Sequence, residues 1–183
     1  MPNYVPLSPT EQAGMHWRQP ENLGFSEDWQ DVPLVLSEIE HFIPIAPIAF
    51  VQHSHPEQGE YFELVGLLSP LPRRNLYLRQ DKTWVAGYVP AWIRMYPFRP
   101  LQPKGRSGEY VMCLEQASIC DQSSPGSLLF TADGQASDEL QKVVKFMGDY
   151  IRERAVTDAA VKCLHRHDLI EPWPIELRQT DGK

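Results

Sequence analysis

The sequence predicts an α+β fold, on the basis of where its prolines lie and where helical spacing begins. Seventeen prolines in 183 residues, most of them within the first 125, favour short strands and turns, because proline disrupts helix interiors. The last third carries apolar residues at helical spacing. We therefore expect a mainly antiparallel sheet from about residues 30–130, with two C-terminal helices, at about 138–154 and 157–169, packed on it.

The first two thirds predict an extended N-terminal arm followed by strands. Residues 1–30 lack any sustained hydrophobic period and are expected to wrap the domain. "PIAFVQ" and "EYFELVGLLS" have the apolar runs and partial alternation of strands, and "EYVMCLEQAS" predicts another. Between them, "RRNLYLRQDKTWVAGYV" predicts a hairpin that turns at Asp81 and Lys82. A chain of this length fits a single domain over 1–183.

Three capping residues mark the predicted helices. Ser37 in "SEIE" predicts a short helix before Pro44, and Ser137 and Thr157 predict the starts of the two C-terminal helices. The first of these two helices has one apolar face, formed by Leu140, Val143, Val144, Met147, Tyr150 and Ile151. Together these elements place strands first and helices last.

Composition excludes several classes of function. The formal charge is −7, which argues against a nucleic-acid binder, because such proteins need a basic face. The N-terminus lacks the pattern of a secretory signal, and "FIPIAPIAFV" is too short for a membrane helix. Three cysteines without a CxxC favour reduced thiols. We therefore expect a soluble cytoplasmic protein without a cofactor.

The stretch "HSHPEQGEYFELVG" raises a metal hypothesis. His53 and His55 share one strand face, and with Glu60 they resemble the first half of a cupin iron, manganese or zinc site. A metal-dependent cupin-like enzyme is therefore the alternative function. No later strand supplies the further histidine that such a barrel needs, and "PEQG" is typical of a turn. An exposed hairpin is the favoured interpretation.

The densest motif is "WVAGYVPAWIRMYPF", which contains five aromatic residues and one arginine. It resembles the SapC family of bacterial proteins, whose pattern is W-x-A-x-Y-V-P-x-x-x-R-x-Y-P-F. The segments "YVPLSP", "PIAF", "NLYL", "SLLF" and "LIEPWPIEL" extend the resemblance over essentially the whole chain. Family members continue beyond the position of Asp181, so the resemblance implies that this chain lacks a C-terminal segment.

The resemblance implies an accessory role beside TonB-dependent uptake receptors or tryptophan-halogenase-like proteins, with no established reaction. The aromatic stretch itself indicates recognition, since tryptophan, tyrosine and arginine are enriched at binding hot spots. We expect a non-enzymatic protein that binds a protein, peptide or small molecule. An open C-terminal face would also favour a homo-oligomer. The candidate binding residues are Trp84, Tyr88, Trp92, Arg94 and Tyr96, with a purely structural role as the alternative.

Overall fold

The computed structural model describes residues 3–55, 59–103, 108–121 and 125–174. The strands are β1 (Tyr4–Pro6), β2 (His16–Trp17), β3 (Asp31–Pro33), β4 (Ile48–His55), β5 (Gly59–Leu67), β6 (Phe98–Leu101), β7 (Val111–Glu115), β8 (Ile119–Cys120) and β9 (Ser127–Leu128). The α-helices are α1 (Ile39–Phe42), α2 (Ala91–Arg94) and α3 (Asp138–Arg166), and short 3-10 turns lie at Gly24–Ser26, Leu36–Glu38 and Gln116–Ser118. Within the described ranges, no helix is both long and apolar enough to cross a membrane.

The strands confirm the α+β class and the antiparallel pairing, but the single predicted sheet is wrong. They form three small sheets with the orders β1-β7-β6, β8-β2-β9 and β3-β5-β4. Two of these sheets include strands from residues 1–30, the segment expected to be an extended arm. Most of the strands are two to five residues long, so each sheet stays small and is completed by segments distant in sequence.

The chain divides into two compact units. One consists of Met1–Leu23 and Ala91–Glu153, and the other of Gly24–Pro90 and Arg154–Lys183. The boundary between residues 153 and 154 falls within α3. Each unit is described separately below.

The first unit contains two of the sheets and their core. In one sheet, Val5 lies opposite Leu114, which in turn lies opposite Phe98. The Trp17 ring meets the Phe98 ring edge-on, with centroids 4.7 Å apart. Leu114 and Phe98 are fully buried, as is Met147 of α3. The N-terminal strands are therefore integral to this unit.

The second unit is organised by the hairpin of β4 and β5. Strand β3 pairs with the far end of β5, with Val32 opposite Gly66. The 3-10 turn and α1 follow β3 and place the fully buried ring of Phe42 over Gly66. All the strands that the structure describes in the second unit belong to this sheet.

The C-terminal helices predicted at 138–154 and 157–169 are wrong, because one continuous helix spans Asp138–Arg166. Its predicted start is confirmed: the Leu140 N–H donates to the Ser137 hydroxyl oxygen at 3.1 Å. Thr157 does not begin a second helix. Its side chain is fully buried within α3, where its oxygen accepts a hydrogen bond from the Leu36 N–H at 2.9 Å. With a partner for its hydroxyl, threonine is tolerated inside a helix.

Candidate functional site

The five candidate binding residues fall in different units. Trp84 and Tyr88 belong to the second unit, whereas Trp92, Arg94 and Tyr96 belong to the first. They therefore form two sets, one in each unit.

In the second unit, Trp84 and Tyr88 direct their polar groups inward. The Trp84 indole N–H donates to the Tyr88 carbonyl oxygen at 2.8 Å, and the Tyr88 hydroxyl donates to Glu38 Oε1 at 2.8 Å. The Trp84 ring, which is 9% exposed, stacks on Tyr77 with centroids 5.5 Å apart. Trp84 is placed by the predicted hairpin, because Leu78 and Trp84 form an antiparallel bridge. Trp84 therefore packs against Tyr77 inside the second unit.

In the first unit, Trp92 and Tyr96 surround a buried arginine that the sequence interpretation missed. Arg99 is 4% exposed, and its guanidinium carbon lies 4.6 Å from the Trp92 ring centroid and 5.9 Å from that of Tyr96. Burial lowers the pKa of Arg99, and nearby tyrosines oppose that shift. The Tyr96 hydroxyl donates to the Glu115 carboxylate, and burial followed by this carboxylate raises the pKa of Tyr96.

Arg94 is the exposed member of the first set. It ends α2, and its guanidinium carbon lies 5.1 Å from the ring centroid of Phe146. A cation over an aromatic face is a stabilising arrangement. Trp92 and Tyr96 thus pack around a buried cation, and Arg94 is the member of this set at the surface.

The metal candidates His53, His55 and Glu60 lie on one hairpin, but on different faces. His53 pairs with Tyr61 and Ser54 pairs with Glu60 across β4 and β5. Because cross-strand partners share a face and neighbours alternate, Glu60 lies on the face opposite His53. Its carboxylate accepts a hydrogen bond from the Gln52 amide at 3.0 Å. The described residues contain no group of three or more His, Cys, Asp or Glu that could hold a metal.

His53 instead belongs to a polar cluster with Glu63, Arg154 and Asp158. Glu63 Oε2 lies 3.0 Å from His53 Nε2, and Glu63 Oε1 lies 2.8 Å from Arg154 Nη1. Arg154 Nε also contacts Asp158 Oδ1 at 2.8 Å. Burial raises the pKa of Asp158, while Arg154 opposes the shift. This cluster fastens the C-terminal part of α3 to β5.

A candidate site is a cleft in the second unit with a volume of about 570 Å³. It lies at the end of the sheet where β3 begins and β5 ends. Its lining residues are Gln30, Asp31, Pro47, Leu67, Leu68, Ser69, Pro70, Leu76, Tyr77 and Trp173. Leu76 is 47% exposed and Trp173 is 59% exposed, so an apolar rim faces solvent.

Backbone hydrogen bonds hold the cleft in shape. The Gln30 carbonyl oxygen accepts from the N–H groups of Leu68 and Ser69, at 2.7 and 3.0 Å. The Leu76 N–H donates to the Leu68 carbonyl oxygen at 3.2 Å. Buried Asn75 orients the following residue, since its side-chain oxygen accepts from the Tyr77 N–H at 2.9 Å. The walls are therefore preformed.

Among the polar side chains that line the cleft, Asp31 and Tyr77 present oxygens that can accept hydrogen bonds from a ligand. Asp31 is exposed at the cleft, and its side chain forms no hydrogen bond or ion pair with any residue in the described ranges. Burial raises the pKa of Asp31, the Glu63 carboxylate raises it further, and His53 lowers it. The Tyr77 hydroxyl donates to the Ile45 carbonyl oxygen at 3.0 Å, which leaves the Tyr77 oxygen free to accept.

Sequence reasoning missed this cleft because its lining comes from five separate segments of the chain. Asp31 precedes the apolar "VPLVL" run, and a carboxylate at such a position is typical of an ordinary strand boundary. Trp173 lies in "LIEPWPIEL", a segment that contributed to the family resemblance. A tryptophan between two prolines was the available signal, since proline on both sides interrupts helices and inner strands.

One of the three comparisons with known proteins gave a match. A model of the SapC family matches residues 7–183. No curated protein and no solved structure matches the chain significantly.

Proposed function

The chain belongs to the SapC family, and on that premise we propose that it is a non-enzymatic binding protein whose ligand site is the cleft of the second unit. The observation that carries the proposal is the cleft itself, about 570 Å³ in volume. Small-molecule sites are typically preformed concavities of about 300–1,000 Å³, mostly apolar with a few placed polar groups. The cleft meets each of these criteria.

Within the predicted aromatic stretch, Trp84 contacts the lining of the cleft. Its ring stacks on Tyr77, which lines the cleft. Trp84 is thus a positioning residue that keeps the Tyr77 ring in the wall. Arg94 and its neighbours in the first unit remain predicted partner-binding residues, with no contact that ties them to a ligand.

The setting of this binding function is also a proposal. The resemblance implies an accessory role beside a TonB-dependent uptake system or a tryptophan-halogenase-like protein. We place the protein in the cytoplasm. Support comes from Cys113, Cys120 and Cys163, which are all free thiols, because disulfides are rare in that compartment.

The binding function is tested with four small aromatic probes: indole, phenethyl alcohol, phenethylamine and phenylacetate. We expect at least one to bind, with amide shifts in NMR spectra centred on Leu67, Ser69 and Tyr77. Changing Leu76 or Trp173 to alanine should weaken binding about three- to tenfold, because each change removes exposed apolar wall.

Leu101→Ala is the matched control, since Leu101 is 38% exposed and belongs to the first unit. It should leave affinity unchanged. Absence of binding by all four probes at millimolar concentration would contradict the proposal. Equal binding by wild type and both cleft variants would contradict it too.

A further inference from the structure

The charge of the cleft points to the class of its ligand. Among its lining residues, Asp31 is the single one with an ionised side chain at neutral pH. Its carboxylate has no hydrogen-bond or ion-pair partner in the described part of the chain. An exposed carboxylate without a protein partner, beside apolar walls, is available to pair with a ligand cation.

The hydroxyl of Tyr77 adds an acceptor. Because its hydrogen is donated to Ile45, the oxygen presents only lone pairs to the cleft. The Ser69 oxygen already accepts from the Leu71 N–H at 3.0 Å, and its hydrogen is the one hydroxyl donor left. Carboxylate and phenol oxygens together favour a ligand group rich in N–H donors.

The apolar and aromatic lining favours a ligand whose N–H group is carried on an apolar body. Trp173 and Tyr77 present aromatic rings, which attract cations when these lie over their faces. Leu67 and Leu76 supply aliphatic surface. An anionic ligand would meet Asp31 without a cation in the lining to offset the repulsion.

Nearby charges strengthen the same preference. Glu63 acts electrostatically on Asp31 and raises its pKa, in the same direction as burial, while His53 opposes both. Arg154 contacts Glu63 and Asp158 and is therefore engaged with those carboxylates. The whole chain is also acidic, with a formal charge of −7, which attracts cations to the surface.

We propose that the cleft selects an organic cation, namely an ammonium or guanidinium group carried on an apolar body, through Asp31, Tyr77 and Trp173. The inference rests on the proposed binding function of the cleft and specifies its ligand class. The same group occurs in free amines and in lysine or arginine side chains of peptides, so both sources fit the chemistry.

Phenethylamine and phenethyl alcohol test the charge preference, because they share one apolar body. By NMR titration at pH 7, we expect the amine to bind about tenfold more tightly than the alcohol, and phenylacetate to bind more weakly than either. Asp31→Asn should remove the advantage of the amine and leave the alcohol unaffected. Glu11→Gln, the same charge change at an exposed residue of the first unit, should leave all affinities unchanged.

Two capped peptides, acetyl-Gly-Lys-Gly-amide and acetyl-Gly-Arg-Gly-amide, distinguish the sources. Tighter binding of a peptide than of phenethylamine assigns the site to peptide side chains, and the reverse assigns it to free amines. If the alcohol or the acid binds in the cleft as tightly as the amine, the cation preference is wrong and the binding function stands. If Asp31→Asn leaves the amine affinity unchanged, the role of Asp31 is wrong. If no probe binds, both proposals fail.

Discussion

Replacement of Gly66 by alanine tests the packing that shapes the second unit. Gly66 lies in the central strand β5, opposite Val32 on one side and Ile48 on the other. A Cβ atom there would lie 2.2 Å from Phe42 Cε1 and 2.4 Å from its Cζ. Carbon atoms pack at about 3.5–4.0 Å, so the ring would have to move by more than about 1 Å.

The cost of that movement follows from the burial of Phe42, which is 0% exposed. A ring enclosed on all sides cannot rotate into solvent, and overpacking of a core typically costs about 1–3 kcal/mol. We expect Gly66→Ala to lower the free energy of unfolding by about 3 kcal/mol, the upper end of that range. Such a loss is a large part of the roughly 5–15 kcal/mol that stabilises a typical domain.

Urea unfolding followed by tryptophan fluorescence measures this loss. Phe42→Leu removes the ring atoms that clash, so Gly66→Ala should cost less in that background, with a coupling energy of at least about 1 kcal/mol. Gly87→Ala is the control, because a Cβ there has no atom within 4 Å and should change stability by less than about 0.5 kcal/mol. A loss below 0.5 kcal/mol for Gly66→Ala, or strictly additive effects in the double variant, would refute the reasoning.

Two further predictions concern charged side chains. Arg154→Met should lower the free energy of unfolding by about 2 kcal/mol, because it leaves the half-buried Glu63 carboxylate without its cation. Arg152→Met is the control: its side chain is 73% exposed, so the loss should be at most about 0.5 kcal/mol. Equal losses for the two variants in urea unfolding would contradict the prediction. Asp31→Asn should raise the melting temperature at pH 7. The pKa of Asp31 is raised in the folded protein. Between the ordinary aspartate pKa and this raised pKa, the native state therefore binds more protons than the unfolded chain does. As a result, Asp31 lowers the stability of the protein as the pH rises through that range. Between pH 3.5 and pH 7, this contribution should make the melting temperature of wild type fall relative to that of Asp31→Asn. A difference in melting temperature that stays constant over this pH range would contradict the prediction.

A carboxylate that reduces stability fits the proposed role of Asp31. Residues retained at binding sites often cost stability, since they are arranged for a ligand and not for the fold. The paired carboxylate of Glu63 differs, because the Arg154 guanidinium and the His53 ring of its own unit contact it. The same cluster explains why His53 joins a structural contact instead of the metal site considered from sequence.

Local signals in the sequence identified the elements whose formation depends on neighbouring residues. The start of α3 at Ser137, the hairpin bridge between Leu78 and Trp84 and the antiparallel α+β class were all predicted and are confirmed. Each depends on capping, turn chemistry or hydrophobic periodicity within a few residues. The SapC family was also recognisable from the ordered motifs around "WVAGYVPAWIRMYPF".

Long-range contacts decided what local signals could not. The Thr157 hydroxyl predicts a helix start in isolation, but a hydrogen bond from Leu36, 121 residues earlier, keeps it inside α3. Arg99 follows the aromatic motif, yet its burial against Trp92 depends on how its strand packs. Asp31 and Trp173 meet at one cleft, although 142 residues separate them. Sequence alone determined the fold class, the family and the helix start, because these depend on local patterns. Only the tertiary structure decided the strand partners, the continuity of α3 and the cleft, because these depend on which distant segments meet.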